Sequence, residues 1–274
     1  MKIIMFTKHL QSKNIDGLIE TLKSVGAEGA DLCVRPGYPV EPETSDKTLP
    51  QAAKKFQDAG LCIPLITTPG DLVDPNKPVV EKLLDACGKS GVKFMKLGYW
   101  YMEEVGYWKT VEKIRKDLEI FEKLAKKYKV KVCVHNHSGG TMGLNSSSIM
   151  NLVKGFDPNY IGVFADPGHL SLVGEPLPMA LSIVKDYLSI VAIKDLSRER
   201  IVDKDNNRLW RLKVVPLGEG FVDWNTLLKL LFEMKYDGCV SMHSEYGELD
   251  EEGVIDQTRM DIRFIKKVIA KVKK

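Results

Sequence analysis

The 274-residue chain is long enough for one large domain with a full core, since single α/β barrels typically have about 250 residues. Its net charge is only +3 and its charged fraction is 28%, a composition that gives little support for nucleic-acid binding. No apolar run approaches the length of about 18 residues that a membrane span needs. The five cysteines form no CxxC pair, so we expect a cytoplasmic protein without a disulfide framework. From the charge and the short apolar runs we expect neither nucleic-acid nor membrane partners.

Short apolar runs alternate with stretches of helical periodicity along the whole chain. The runs predict strands over 2–7, 29–34, 61–67, 92–98, 130–135, 161–166, 188–195 and 238–244. The periodic stretches predict helices over 15–26, 49–60, 78–91, 110–129, 146–156, 224–236 and 257–272. Strands and helices in this order form a parallel sheet with right-handed crossovers. We therefore predict an α/β fold, a single (β/α)8 TIM barrel over residues 1–274, with a doubly wound open sheet as the alternative.

The glycines and the long loops add local detail to this prediction. Two loops, 35–48 and 196–219, are longer than ordinary connections and are typical of lids or functional segments. The second loop contains DKDNNRLWRL, which suggests a small hairpin. The glycine loop LGEG at 217–220 precedes a helix, so it is either a phosphate-binding loop or simply a turn. Helix C-caps are predicted at Gly26, Gly60, Gly88 and Gly91.

All five histidines lie at, or within four residues of, the end of an apolar run. His9 follows the first run, His135 and His137 follow the fifth, His169 the sixth and His243 the eighth. In a (β/α)8 barrel the strand ends on one face build the active site. The histidines therefore predict an enzyme with one site that is assembled from many strands.

Two histidine motifs and a strand-end carboxylate are candidates for metal binding and proton transfer. His135 and His137 are two residues apart, and so are His243 and Glu245, so each pair points to one side of its strand. Asp166 closes the sixth strand, where a carboxylate either binds a ligand or caps the next turn. In such sets one side chain binds a metal while another takes a proton from carbon.

Cationic side chains occupy further strand ends and predict an electropositive mouth. Lys194 is a candidate for stabilising an anionic substrate or an enediolate, or else for a rim ion pair with Asp195. Arg198 is suited to hold a hydroxyl or carboxylate group. We expect the substrate-binding residues to include Lys8, His9, Arg35, Lys96, His137, His169 and Arg198.

The four strand ends HNHSGG, ADPGHL, AIKD and HSEY resemble the sugar isomerase/epimerase superfamily, the xylose-isomerase-like barrels. The resemblance extends over essentially the whole chain. It implies a divalent metal, often manganese, held by Glu, Asp, His and Glu at the ends of strands five to eight, with the two glutamates moving the proton. Residue by residue, the resemblance implies a ligand at Asp166, a substrate-binding histidine at His169 and a substrate-binding arginine at Arg198.

The other positions depart from the pattern of this superfamily. His135 and His243 stand where the strand-five and strand-eight glutamates are expected, although Glu245 lies two residues further on. Ala192 occupies the position of the strand-seven histidine and cannot bind a metal. A replacement set for Mn, Zn or Fe would be His135, Asp166, His243 and Glu245.

These observations lead to one main hypothesis and to alternatives from other classes. The first is an isomerase or epimerase of a sugar, inositol-like or keto substrate that moves a proton beside a carbonyl through an enediolate. The base would be His135, His243 or Glu245. The cations Lys194, Arg198 and Arg35, or a metal, would stabilise the oxyanion. The alternatives are a catalytically altered barrel that binds a carbohydrate or a partner without turnover, and a metal-dependent hydrolase or lyase. Aromatic residues after strand four either cover the site or form a homo-oligomer contact: Trp100, Tyr101, Tyr107 and Trp108.

Overall fold

The computed structural model describes residues 1–273, and eight of its strands close into a parallel barrel. The strands are, in chain order, β1 (Lys2–Phe6), β2 (Gly29–Cys33), β3 (Cys62–Thr67), β4 (Phe94–Lys96), β5 (Lys131–His135), β6 (Ile161–Ala165), β7 (Leu188–Ile193), β8 (Asp195–Val202), β9 (Arg208–Val215) and β10 (Cys239–Met242). The order around the barrel is β1-β10-β7-β6-β5-β4-β3-β2, while β8 and β9 form a separate antiparallel hairpin. The predicted (β/α)8 barrel is confirmed.

Helices connect the strands and cover the outside of the barrel. They are α1 (Ile15–Val25), α2 (Ser45–Asp58), α3 (Pro78–Ser90), α4 (Tyr107–Tyr128), α5 (Ser146–Val153), α6 (Pro167–Leu172), α7 (Leu177–Val184), α8 (Trp224–Glu233) and α9 (Glu251–Val272). Several begin at an Asn or Asp whose side chain accepts a backbone N–H three residues on, namely Asn14, Asn145, Asp166, Asp223 and Asp250. These caps satisfy amide groups that the first helical turn leaves without partners.

The structure corrects three details of the predicted elements. The short helices α6 and α7 were not predicted, because the apolar run LPMALSIV is too short and too uniformly apolar to show a helical period. The fourth strand covers only Phe94–Lys96. Gly88 lies inside α3, where a Cβ atom would come within 2.7 Å of the backbone oxygen of Tyr128, so it permits close helix packing rather than ending the helix. Gly26 and Gly91 do end their helices, with φ of 81° and 70°.

A small apolar cluster fills the inside of the barrel beneath the strand ends. Its buried members come from six strands and are Ile4, Leu65, Cys133, Phe164, Ile190, Ala192 and Cys239. A much larger cluster lies between the strands and the surrounding helices. The carboxyl ends of the strands above Phe164 and Ala192 therefore form the rim of a closed barrel with a packed interior.

The hairpin of β8 and β9 is fixed to the barrel by the carboxylate of Asp195. This buried carboxylate accepts hydrogen bonds from the backbone N–H groups of Leu196, Gly218 and Val222 and from the indole of Trp224, at 2.9–3.1 Å. Gly220 packs so tightly here that a Cβ atom would lie 2.1 Å from Asp195 Oδ1. The predicted hairpin is confirmed and is longer than expected.

Backbone hydrogen bonds bear on the two alternatives for the LGEG loop at 217–220. Two backbone N–H groups of this loop have partners, since that of Leu217 donates to Asp261 Oδ1 at 3.3 Å and that of Gly218 to Asp195 Oδ2 at 2.9 Å. The helix that follows, α8, is capped by the side chain of Asp223. These contacts favour a turn over the phosphate-binding alternative.

Replacing Asp195 with asparagine is expected to destabilise the protein by about 2 kcal/mol, because two of its four donors then face an amide N–H₂ group. Equilibrium unfolding in urea measures this loss. The matched control is Asp186→Asn, an exposed carboxylate just before β7, which should change the unfolding free energy by less than about 0.5 kcal/mol. Equal stability of the two variants would contradict the role of Asp195 as a brace.

The cysteines and the helices complete the description of the fold. Each of the five cysteines is a free thiol. Burial raises the pKa of Cys33 to about 11 and that of Cys133 to about 12, so these thiols stay protonated and unreactive at neutral pH.

Within residues 1–273, no helix combines the length and the apolar character needed to cross a bilayer.

Candidate active site

The carboxyl ends of β6, β7 and β10 bring one cation between two carboxylates. The Lys194 ammonium lies 3.1 Å from Asp166 Oδ2 and 3.1 Å from Glu245 Oε2. Its third neighbour is Nε2 of His169, at 2.9 Å. Asp166 is fully buried and Lys194 nearly so, which strengthens the attraction between their charges. The strand ends thus build a buried ionic centre from residues that are far apart in the sequence.

The protonation states in this centre follow from burial and charge. Burial alone would raise the pKa of Asp166 and of Glu245, but the adjacent Lys194 charge holds both well below their ordinary values. Burial alone would lower the pKa of Lys194, and the two carboxylates outweigh it and raise that pKa. Burial lowers the pKa of His169 to about 3. At neutral pH the centre therefore holds two carboxylates, one ammonium and one neutral imidazole.

Both nitrogens of the His169 ring are engaged. Because Nε2 faces the ammonium, it accepts a hydrogen bond, and Nδ1 then carries the proton and donates to Ser138 Oγ at 2.8 Å. The backbone N–H of His169 also binds Asp166 Oδ1 at 3.1 Å, so Asp166 caps α6 with one oxygen and faces Lys194 with the other. The helix-cap alternative for Asp166 is confirmed, and its role as a ligand-binding residue stays a prediction.

His135 lies beside this centre and is bound to Tyr99. The Tyr99 hydroxyl is 3.0 Å from His135 Nδ1, and His135 Nε2 is 3.5 Å from Asp166 Oδ2. Burial raises the pKa of Tyr99, so the phenol keeps its proton and donates it to Nδ1. Nε2 then carries the ring proton and faces the carboxylate. Burial lowers the pKa of His135 well below its ordinary value, which leaves a neutral imidazole with an N–H group in the site.

His243 forms a dyad with a carboxylate that sequence analysis missed. Its Nε2 is 3.4 Å from Oδ2 of Asp31, which lies fully buried in β2. Thr67 and Ser241 donate their hydroxyl protons to the same carboxylate at 2.6 and 2.9 Å. The carboxylate orients the imidazole with Nε2–H toward Asp31, so that Nδ1 faces Glu245 at 3.8 Å. One signal was available, a single Asp inside the apolar run GADLCV, because a buried charge requires partners.

An aromatic floor positions the two imidazoles. Phe164 stacks on His135 with ring centroids 4.6 Å apart and meets His243 edge-on at 5.4 Å. The centroids of His135 and His243 are 5.9 Å apart. The two imidazole rings thus lie together above Phe164, near the Lys194 centre.

The remaining predicted residues lie at different distances from this centre. Lys8 binds Glu245 at 2.6 Å, and the ring of His137 packs on that of His169 with centroids 3.8 Å apart. Half-buried Arg35 donates to the backbone oxygen of Thr68 at 3.3 Å. His9 is half-buried, and burial lowers its pKa.

Arg198 is the exception among the predicted site residues. It lies on β8 with an exposed side chain, opposite Leu212 in the hairpin. Among residues 1–273 no ion pair or side-chain hydrogen bond joins Arg198 to the site. Its substrate-binding role stays a prediction, whereas the neighbouring prediction for Lys194 agrees with the position of the ammonium.

Lys96 is a buried amine without a hydrogen-bond partner. Its side chain projects from β4 and is 1% exposed, and Nζ lies 3.9 Å from the centroid of the Tyr99 ring. Burial, reinforced by the charge of Arg35, lowers the pKa of Lys96 to about 7. An amine held in this state is costly for stability and is typical of functional sites.

The candidate metal ligands do not fit a metal ion well. Among residues 1–273 there is no group of three or more His, Cys, Asp or Glu side chains arranged to hold one. Two atoms of the predicted set, His135 Nε2 and Asp166 Oδ2, are buried without hydrogen-bond partners, as ligand atoms would be. However, the Lys194 ammonium, and not open space, lies between Asp166 and Glu245.

A groove leads from the site toward the hairpin. It has a volume of about 450 Å³ and is lined by residues 211–214 of β9 and by residues 245–249. Glu245 is the residue that this groove shares with the ionic centre. The hairpin therefore forms one wall of a groove beside the strand-end face of the barrel.

The fold agrees with a comparison against protein families. The model of the xylose isomerase-like TIM barrel family matches residues 19–268. The chain belongs to this family. The match covers all barrel strands except β1, so the xylose isomerase-like barrel includes each strand end described above apart from Lys8 and His9.

Known relatives of this xylose isomerase-like chain are similar over half of their length. An inosose dehydratase of Clostridium perfringens is 28% identical over 148 residues, 50% of this chain and 47% of the dehydratase. An uncharacterized protein of Methanocaldococcus jannaschii is 26% identical over 129 residues, 46% of this chain and 41% of that protein. The chain thus spans about half the length of the curated relatives it matches.

Solved structures extend the similarity of the fold to the whole chain. The 3-keto-D-glucoside 4-epimerase of E. coli has a TM-score of 0.75 at 15% identity and covers 97% of this chain and 99% of its own. The IolI protein, whose crystal structure contains a zinc atom, has a TM-score of 0.75 at 18% identity and covers 99% of each chain. At such identities the likeness concerns the fold.

Proposed function

We propose that this protein is an enzyme that abstracts a proton beside the carbonyl of a polyhydroxylated ketone, such as a ketose or an inosose. The observation that carries the proposal is the buried Lys194 ammonium, paired with Asp166 and Glu245, at the same strand ends as an oriented His243 and a proton-bearing His135. The sequence relatives are dehydratases of an inosose, and the structural neighbours include sugar epimerases, which supports this substrate class.

The first step is proton abstraction by His243. With Nε2–H directed at Asp31, the lone pair of Nδ1 faces the site and is available to take a proton from carbon. Asp31 stabilises the imidazolium that forms. Glu245 is a poorer base, because the ammonium groups of Lys194 and Lys8 lie 3.1 and 2.6 Å from its carboxylate and hold its pKa low.

The second requirement is a cation for the enediolate oxygen. The Lys194 ammonium is fixed before the substrate binds and costs no reorganisation during the reaction. Lys96, Arg35 and Lys8 add positive charge around the same mouth. These cations suit the hydroxyl, keto and carboxylate oxygens of a sugar-like substrate.

The third step is proton delivery by the His135–Tyr99 pair. The ring centroids of His135 and His243 lie 5.9 Å apart above Phe164. Return of the proton to the same carbon from the opposite face gives an epimer, and delivery to the former carbonyl carbon gives an isomer. Delivery to a β-hydroxyl expels water and gives a dehydrated ketone. Because the sequence relatives include inosose dehydratases, the dehydrated ketone is the alternative product that we favour.

Deuterium exchange tests the proposal. Wild-type protein in D₂O should incorporate solvent deuterium at the carbon beside the carbonyl of its substrate, from a panel of ketoses and inososes followed by NMR and mass spectrometry. A product lighter by one water would identify a dehydratase. His243→Gln should slow exchange by about 10²–10⁴-fold, the usual contribution of a general base.

A double-mutant comparison distinguishes the base from the residue that orients it. Asp31→Asn should slow exchange less than His243→Gln, and the double variant should lose no more than His243→Gln alone, because Asp31 acts through His243. Absence of exchange with every ketone, with or without added Mn²⁺, would count against an enzyme of this kind. Tight binding without exchange would favour the barrel that binds without turnover.

A further inference from the structure

We infer that the Lys194 ammonium takes the place of a divalent metal ion in this chain, so that its active site works as a metal-independent cationic centre. The inference concerns which cation the strand-end carboxylates bind. Only the use of that cation to stabilise an enediolate rests on the proposed function.

Three groups surround the ammonium. It donates hydrogen bonds to His169 Nε2 at 2.9 Å and to Glu245 Oε2 at 3.1 Å, and it forms an ion pair with Asp166 Oδ2 at 3.1 Å. Two of its three N–H groups are thus used in hydrogen bonds, and its charge is balanced by two carboxylates. The side chain is 4% exposed, and a lysine buried to this extent is expected only where opposite charges compensate it.

The topology explains how the lysine reaches this place. β7 lies between β6 and β10 in the barrel, so a side chain at the end of β7 stands between Asp166 on one side and Glu245 on the other. Ala192 lies two residues before Lys194, faces the barrel interior and packs in the inner apolar cluster. Its methyl group offers no ligand and leaves room below the ionic centre.

The same contacts remove the ligand atoms that a metal would need. The lone pair of His169 Nε2 is taken by the ammonium, and Nδ1 donates to Ser138, so neither nitrogen of this ring is free. A divalent ion placed between Asp166 and Glu245 would be in contact with the Lys194 charge, and this repulsion is strong where water is excluded. Metal and protonated lysine therefore compete for one position.

Metal titration of the whole protein tests the inference without any assay of activity. After treatment with EDTA, wild-type protein should bind Co²⁺ or Mn²⁺ at least about 100-fold more weakly than Lys194→Ala, as measured by calorimetry and by the visible spectrum of Co²⁺. Adding Ala192→His to Lys194→Ala should tighten metal binding by about a further 10-fold, because an imidazole then joins the carboxylates as a ligand. Lys185→Ala, an exposed lysine before β7, is the matched control and should behave like wild type.

Each result decides the inference by itself. One equivalent of metal bound tightly by wild-type protein, and lost in Asp166→Asn, would overturn it, and this measurement needs no variant of Lys194. The inference would also be overturned if Lys194→Ala and its combination with Ala192→His, both shown to be folded by circular dichroism, bound the metal no more tightly than wild-type protein. Deuterium exchange in the presence of EDTA addresses the proposed function separately, since exchange can fail while the metal titrations still succeed.

Discussion

Replacing Lys194 with alanine is expected to lower kcat/KM on the ketone substrate by about 10³-fold and to reduce the free energy of unfolding by about 3–5 kcal/mol. Both losses have one cause. The ammonium lies 3.1 Å from both Asp166 and Glu245, so its removal leaves the fully buried Asp166 carboxylate without its ion pair, while Lys8 still binds Glu245 at 2.6 Å. Steady-state kinetics and urea unfolding at neutral pH measure the two effects.

Two controls make this prediction specific to the cation. Addition of methylammonium should restore part of the activity of Lys194→Ala, because a small amine fits the space that the side chain leaves. Lys185→Ala, which removes an exposed lysine, should retain wild-type kinetics and stability. An unchanged kcat/KM in Lys194→Ala would rule out a catalytic role for the ammonium, whatever happens to the stability.

Replacing Lys96 with methionine is expected to stabilise the protein while impairing its activity. Burial lowers the pKa of this amine to about 7, against an ordinary value near 10.5 in the unfolded chain. Between these two pH values the unfolded chain holds a proton that the native protein has released, so native stability rises with pH. The advantage of Lys96→Met should therefore be greatest below pH 7 and shrink by about 1.4 kcal/mol per pH unit above it.

Thermal and urea unfolding at pH 6, 7.5 and 9 measure the trend for Lys96→Met. Lys93→Met, which removes an exposed lysine one residue before β4, is the matched control and should show no pH-dependent advantage. A destabilised Lys96→Met at all three values would mean that the carboxylates of Asp31 and Glu245 compensate the charge of the amine in the native state. A gain in stability with a loss of turnover is typical of residues kept for function.

The barrel and the location of its site were predictable because they depend on local patterns. Alternating strands and helices require only hydrophobic periodicity, and strand ends of a parallel barrel meet on one face wherever the chain goes between them. His135, Asp166, Lys194 and His243 are strand-end residues, so their convergence follows from the fold. The unpredicted helix α7 is short and apolar on all sides, and its period is invisible.

The roles within the site were harder to predict because they depend on pairs that are distant in sequence. Asp31 and His243 are 212 positions apart, and no periodicity identifies one as the partner of the other. Tyr99 was considered neither as a donor nor as a partner of His135, although it lies next to Trp100 in a loop that was noted for its aromatics. The sequence suggested a metal or a lysine as the cation, and only the distances around Lys194 separate the two.

The way in which the hairpin is fastened to the barrel has a consequence for which part of this protein can vary in sequence. Asp195 at one end and the close-packed Gly220 at the other fix the whole excursion from 196 to 217 at its base. The part of the hairpin beyond these anchors can change in sequence and length, because lengthening a loop costs little entropy once its ends are held. Natural variation or grafting in the laboratory can thus reshape the groove wall near Glu245, while the strand-end residues beneath it, His135, His243 and Lys194, keep their places.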